Sequence, residues 1–176
     1  ERTRDDLMNQ SNARGTYVSG RCCLPQLKRS AEAGRNPHIL TLSPPLDMRP
    51  KWFAPHVAYS MAKYGMSLCT LAWAEEFRKE GIAANALWPR TLIATAAIKM
   101  IGGDEMAHKA RTPEIMGDAA HAILCKNSRE FTGQFCIDDL VLHAAGVRDF
   151  SKYAVVPGNK DFYPDVFVPD DTADLP

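Results

Sequence analysis

A tyrosine and a lysine four residues apart, in the run Tyr59-Ser60-Met61-Ala62-Lys63, are the residues of this chain best spaced for chemistry. On a helix, positions i and i+4 share a face, with Cβ atoms about 5–6 Å apart. A phenol with a pKa of ~10 is no base at neutral pH, and bringing it down by ~3 units takes roughly 4 kcal/mol of differential interaction. One ammonium in open water does not supply that; a desolvated pocket with a second cation does. The pair therefore reads in two ways. It is a proton-transfer couple if it lies in a pocket, and an ordinary helix face with a snorkelling lysine if it does not.

The elements that must position it follow from the pattern. Asp5 to about Leu27 carries apolar and small residues at helical spacing, and Pro25 is expected to bend or end that helix. Lys28 to Pro37 reads as a loop, and His38-Ile39-Leu40-Thr41-Leu42 as a strand buried on both faces. Four prolines (Pro44, Pro45, Pro50, Pro55) make the next stretch a long loop, a place for shaping a substrate site or a stiffened connector. The main helix is expected from Val57 to Lys79, stopped by Gly81, with small residues (Ala58, Ala62, Gly65, Ser67) that permit close approach of another helix. A strand over Ile82–Leu87 follows, then a loop and short helix over Arg90–Met100 broken at Gly102-Gly103. Thr112-Pro113 opens a further helix, and Gln134–Ile137 is a last strand. Strands alternating with helices indicate an α/β protein with a parallel sheet.

Composition narrows the class. The chain has 176 residues, 45% of them hydrophobic, and a formal net charge of zero, which fits one globular domain and gives no footprint for nucleic acid. No apolar run approaches the ~20 residues that cross a bilayer, and the charged first residues are no secretory signal. Five cysteines, odd in number and without Cys-x-x-Cys spacing, read as buried thiols of a reducing, cytoplasmic protein; the five scattered histidines suggest no metal site. From Pro157 to Pro176, five aspartates and four prolines mark an acidic C-terminal arm; Phe162, Tyr163 and Phe167 call for a surface to pack on, such as a neighbouring subunit, and a disordered acidic tail is the alternative.

Together these pieces resemble the C-terminal part of a short-chain dehydrogenase/reductase, a Rossmann-type, doubly wound family. The markers are Ser11-Asn12-Ala13-Arg14-Gly15-Thr16, the strand ending at Ser43, Tyr59 to Lys63, Asn85-Ala86-Leu87-Trp88-Pro89, and more weakly Phe131-Thr132-Gly133-Gln134 followed by Asp138. The resemblance covers residues 1–155, with 156–176 as the arm. It implies that Tyr59 exchanges a proton with an alcohol or carbonyl, Lys63 lowers the Tyr59 pKa, Ser43 orients the substrate oxygen, and Asn12 holds a relay water. It implies a nicotinamide cofactor, NAD(P) with NADP favoured, contacted by Lys63, Tyr59, Pro89, Leu92 and Thr95. Partners would be a small-molecule alcohol or carbonyl substrate and further copies of the chain.

Three departures stand against the family pattern. Pro44 fills the place of the family's second serine, and Arg90 stands where a glycine often follows the proline. The eleven glycines contain no cluster of the kind that meets a pyrophosphate, so the nucleotide-binding half is absent from this sequence. Two function classes remain: an oxidoreductase represented by its catalytic half, and a non-catalytic oligomerisation or partner-binding module derived from one. A serine hydrolase is disfavoured, because no Gly-x-Ser-x-Gly elbow exists.

Overall fold

Six consecutive buried residues form the middle strand of the sheet, β2 (Ala83–Trp88), in the computed structural model, which describes residues 2–170. A strand buried on both faces needs cover from both sides, and this one carries only apolar side chains and one asparagine. It pairs in parallel with β1 (His38–Thr41), His38 opposite Ala83 and Thr41 opposite Ala86, in a sheet of order β1-β2-β3 with β3 at Phe135–Ile137. The helices are α1 (Arg2–Asn9), α2 (Gly15–Glu32), α3 (Val57–Glu76), α4 (Ala96–His108), α5 (Glu114–Leu124) and α6 (Asp138–Ala144). No helix among the described residues is long and apolar enough to cross a membrane.

The chain divides into two compact units. The first comprises Glu1–Leu87 and Lys126–Phe135, the second Trp88–Cys125 and Cys136–Pro176. In the first, Leu24 and Ala31 of α2, Trp73 and Ala74 of α3, Phe77, Ile82 and Ala84 make one apolar core, joined by Leu27, Ile39 and Cys69. The closing segment is locked to β2 by side chains. Asn85, fully buried, donates through Nδ2 to the Phe131 carbonyl and accepts from the Gln134 amide, both at 2.9 Å, and Thr132 Oγ1 accepts from the Ala84 amide at 3.0 Å.

Several expectations are corrected here. Pro25 does not end the first long helix: α2 continues to Glu32, over residues read as loop, because Leu24, Leu27 and Ala31 all turn to the core and their burial offsets the missing proline hydrogen bond. The main helix stops at Glu76, and a 3-10 turn, Arg78–Glu80, leads to Gly81 in the left-handed region (φ 73°). Helix α6, which begins directly at the end of β3, has too short an apolar pattern to be seen in sequence. The cysteines are not uniformly buried: Cys22, Cys23 and Cys125 are exposed, Cys69 is half-buried and only Cys136 is buried. The expected arm falls partly outside the described residues, at 171–176.

In the second unit, α5 packs on α6, and Ile115, Ala119 and Ile123 of α5 and Leu142 of α6 are all buried. Helix α4 is kinked at Gly103 (φ 66°, ψ −163°), where the sequence places a break.

Close approach within the first unit rests on glycine. A Cβ on Gly20 would lie 2.3 Å from the Trp73 ring, which stacks between Tyr17 and Phe77 at centroid distances of 6.4 and 6.3 Å. Gly20→Ala is therefore expected to destabilise the fold by about 1–3 kcal/mol in urea unfolding, the usual cost of overpacking.

Candidate active site

Four side chains on one stripe of α3 reach the loop after β1. Ser60 Oγ donates to the Trp52 carbonyl at 2.9 Å, Lys63 Nζ to that of Leu42 at 3.2 Å, Tyr64 Oη to that of Asp47 at 2.5 Å, and Ser67 Oγ to that of Pro44 at 2.7 Å. The spacing i, i+3, i+4, i+7 is that of a single helical face. It ties α3 to the C-terminal end of β1, where ligands of parallel α/β sheets bind. Lys63 is thereby held beside Ser43, the residue after its acceptor. Ser43 is fully buried, and its hydroxyl has no hydrogen-bond partner among the described residues. Tyr59, one turn before Lys63, is half-buried, with its ring edge-on to His56 at 6.0 Å.

The loop itself is organised by Asp47. Its carboxylate receives the Arg49 guanidinium, the Arg49 amide at 3.1 Å and Trp52 Nε1 at 2.6 Å. The Arg49 bond holds that carboxyl well below the usual range. Burial pushes the Tyr64 phenol up, with the Asp47 charge adding to it, so Tyr64 stays a protonated donor at neutral pH. On its outer side, Met48, Pro50, Phe53, Ala54 and Val57 line an open apolar hollow of about 460 Å³.

Asn12 lies on a π-helical turn, Gln10–Arg14, between α1 and α2, in which the Gly15 amide reaches back five residues to the Gln10 carbonyl. Such bulges are frequent at functional sites. Asn12 Nδ2 donates to the Met8 carbonyl at 2.9 Å, the group its own amide would take in a regular α-helix. The turn seats against α3, where a Cβ on Gly65 would come within 2.7 Å of the Ala13 Cβ. Between this turn and the end of β1 runs a cleft of about 430 Å³, walled by Ser11, Gly15 and Thr16 on one side and Thr41 and Leu42 on the other. Asn12, Ser43, Tyr59 and Lys63 thus all belong to the first unit, though none of the four is in the wall of that cleft.

Pro89, Leu92 and Thr95 belong to the second unit. Pro89 is buried, Leu92 half-buried, and Thr95 is the N-cap of α4, accepting from the Ile98 amide at 3.4 Å. Arg90 turns to buried acids: its amide donates to Asp138 Oδ1 at 3.0 Å and its Nε to Asp139 Oδ2 at 2.5 Å, which Arg111 Nη1 also reaches at 3.1 Å.

No family model matches the chain. It is 52% identical over 170 residues to hydroxysteroid dehydrogenase-like protein 2 of Danio rerio, a match covering 97% of this chain and 39% of that protein. The crystal structure of a short chain dehydrogenase from Mycobacterium thermoresistibile superposes with a TM-score of 0.83 at 48% identity, over 95% of this chain and 57% of that one. In sequence and in fold the chain is similar to part of a short-chain dehydrogenase. A Xanthomonas campestris protein provisionally classed as a dehydrogenase has a TM-score of 0.89 at 50% identity, over 97% of this chain and 60% of its own. The sheet and its helices are accordingly part of a Rossmann-type α/β fold.

The sequence motifs single out Tyr59, Lys63, Ser43 and Asn12 but miss what holds the helix that carries Tyr59 and Lys63. Ser60, Tyr64 and Ser67 were visible as polar residues at helical spacing on an otherwise apolar helix, a signal that only gains meaning once a proline-rich loop lies opposite. The departure at Arg90 has a structural answer in Asp138 and Asp139. Burial pushes the Asp138 carboxyl up to about 6, opposed by the Arg90 amide and reinforced by the Asp139 charge. Because the folded state then keeps a proton that the unfolded state has already lost, this group's contribution to stability falls as pH rises from about 4 to 6 and is level above. Asp138→Asn should thus gain on the wild type by about 3 kcal/mol between pH 4 and pH 7 in urea titrations, the linkage expected of a shift of that size. A difference independent of pH would mean that Asp138 titrates normally.

Proposed function

We propose that the protein carrying this chain is an NAD(P)-dependent oxidoreductase that interconverts an alcohol and a ketone or aldehyde, with NADP the favoured form. The chain spans 39% of the Danio rerio relative, and the reading concerns the whole protein. The observation that carries it is the anchoring of Lys63 at the end of β1, with Tyr59 one turn away and, next to the anchor, the buried Ser43 hydroxyl, which has no partner among the described residues. A buried hydroxyl without a partner costs free energy, and a hydrogen bond to an incoming oxygen would recover it. Tyr59, Lys63, Pro89, Leu92 and Thr95 would hold the nicotinamide cofactor, which when bound supplies the hydride chemistry.

The chain's own part is proton management. Tyr59 delivers a proton to a carbonyl oxygen or takes one from an alcohol, Lys63 favours the phenolate by its charge, Ser43 orients the substrate oxygen, and Asn12 holds a water for proton resupply. The apolar hollow around Phe53 offers the substrate body a hydrocarbon wall. In the full-length protein, Tyr59→Phe should lower kcat/KM by about 10²–10⁴ with unchanged circular dichroism and melting, the range of lost general acid–base catalysis. Activity equal to wild type would refute the assignment.

The oligomerisation reading is favoured by a different observation and is compatible with the first. Val57, Met61, Leu68 and Leu71 lie along one side of α3 and are 55%, 61%, 57% and 48% exposed, a denser apolar face than a solvated helix needs. We assign this face to a contact between copies of the chain. Met61→Glu with Leu68→Glu should shift the full-length protein to a smaller species in sedimentation velocity; an unchanged coefficient would remove α3 from the interface.

A further inference from the structure

The loop that follows β2 is the middle rail of a small lattice inside the second unit. On one side the Arg111 amide donates to the Leu92 carbonyl at 2.9 Å and the Ala94 amide to that of Arg111 at 2.8 Å. Beyond Arg111 lies Ala154, bridged to it in antiparallel fashion. On the other side is the C-terminal arm: the Leu92 amide donates to the Tyr163 carbonyl and the Asp165 amide to the Arg90 carbonyl, both at 2.9 Å, around an antiparallel bridge of Thr91 and Pro164. Every residue from Arg90 to Ala94 therefore either bonds to a rail or bridges to one.

The arm is itself fastened at both ends. At its start, Asn159 Nδ2 donates to the His108 carbonyl at 3.3 Å, Lys109 pairs with Asp161 at 2.7 Å, and the Tyr163 amide reaches the Lys109 carbonyl at 3.0 Å. In the middle, the Phe162 ring covers the Arg111 guanidinium at 5.1 Å, on the group that neutralises buried Asp139. At its far end, Phe167 is wholly buried with its ring 6.0 Å from that of Trp88, whose Nε1 donates to the Val166 carbonyl at 2.7 Å. Phe167 also has φ 66°, a conformation that a bulky side chain holds only where its surroundings compel it.

We propose that Asn159–Phe167 is a strap that sets the conformation of Arg90–Thr95, with Phe167 as its latch and Trp88 as the keeper. The strap's value to catalysis rests on the reading of Leu92 and Thr95 as cofactor contacts. It acts as a positioning element: an ordered loop need not be ordered again when the cofactor arrives, which favours binding over turnover.

The test is made on the full-length protein that carries this sequence. Phe167→Ala removes the latch, and Trp88→Phe keeps a ring against Phe167 while deleting the indole donor. Hydrogen exchange is read at the amides of Ala94 and Arg111, which bond to each other's strands and not to the arm. Release of the strap should speed their exchange by about tenfold or more in Phe167→Ala, and by less in Trp88→Phe. KM for the nicotinamide cofactor should rise about five- to tenfold while kcat at saturation stays within about twofold. If the amides of Tyr163 and Asp165 open while those of Ala94 and Arg111 keep wild-type exchange, the loop holds its own shape and the strap is overturned. Faster exchange at Ala94 and Arg111 with an unchanged KM upholds the strap and overturns the loop's part in cofactor binding. Should Phe167→Ala fail to fold, Trp88→Phe decides the same comparison.

Discussion

The first unit depends on a constraint of backbone chemistry. A loop with four prolines lacks four amide donors and is stiff where it turns, so its own amides serve only some of its carbonyls, those of Pro45, Arg49, Pro50 and Phe53. Helix α3 supplies the donors from Ser60, Lys63, Tyr64 and Ser67. Each of these bonds is worth only about 0.5–1.5 kcal/mol net, but a buried carbonyl left without one costs more, so the arrangement is strongly directional. One consequence is that Lys63 is part of the scaffold as well as of the proposed chemistry. Its ammonium reaches a main-chain oxygen beside Ser43, and any change in the loop is felt at that charge.

The second unit solves another problem, that of buried charge. Asp138 and Asp139 are fully buried at the start of α6, where the helix dipole favours negative charge, and Arg90 and Arg111 approach them from two separate segments. Such a cluster is weak evidence for stability, since desolvation consumes most of the Coulombic gain. Its clearer effect is geometric: it fixes where Arg90 begins the loop, as the arm and Arg111 fix where the loop goes next.

The sequence was legible where periodicity and glycine speak. The strand expected over His38–Leu42 is observed at His38–Thr41, though half-buried along most of its length where burial on both faces was expected; the helix starting at Val57 and the break at Gly102-Gly103 correspond to observed elements, and Gly81 does terminate its segment in the left-handed region. Motif spacing also pointed to Tyr59 and Lys63, which share one helix. What could not be read was tertiary in origin. Pro25 read as a bend or an end, and the helix was expected to stop near Leu27, because propensity sees only the lost hydrogen bond, not the core that Leu24 and Ala31 enter. Cys22 and Cys23 looked buried by residue type, yet they lie on the outward side of α2. The arm's aromatic residues were seen to need a surface; that they would find it on Trp88, Lys109 and Arg111 of their own chain depended on distances that no local pattern encodes.

The first unit is also discontinuous in the chain, and that bears on its birth at the ribosome. Asn85, Ala84 and Gly81 obtain their partners from Phe131, Thr132, Gln134 and Ser128, some fifty residues later. A nascent chain that has emerged only as far as β2 exposes an apolar strand whose asparagine is unmatched, and it must wait through the translation of α4 and α5 before that strand is sealed. At synthesis rates of roughly 5–20 residues per second the interval is a few seconds, long enough for a chaperone to matter.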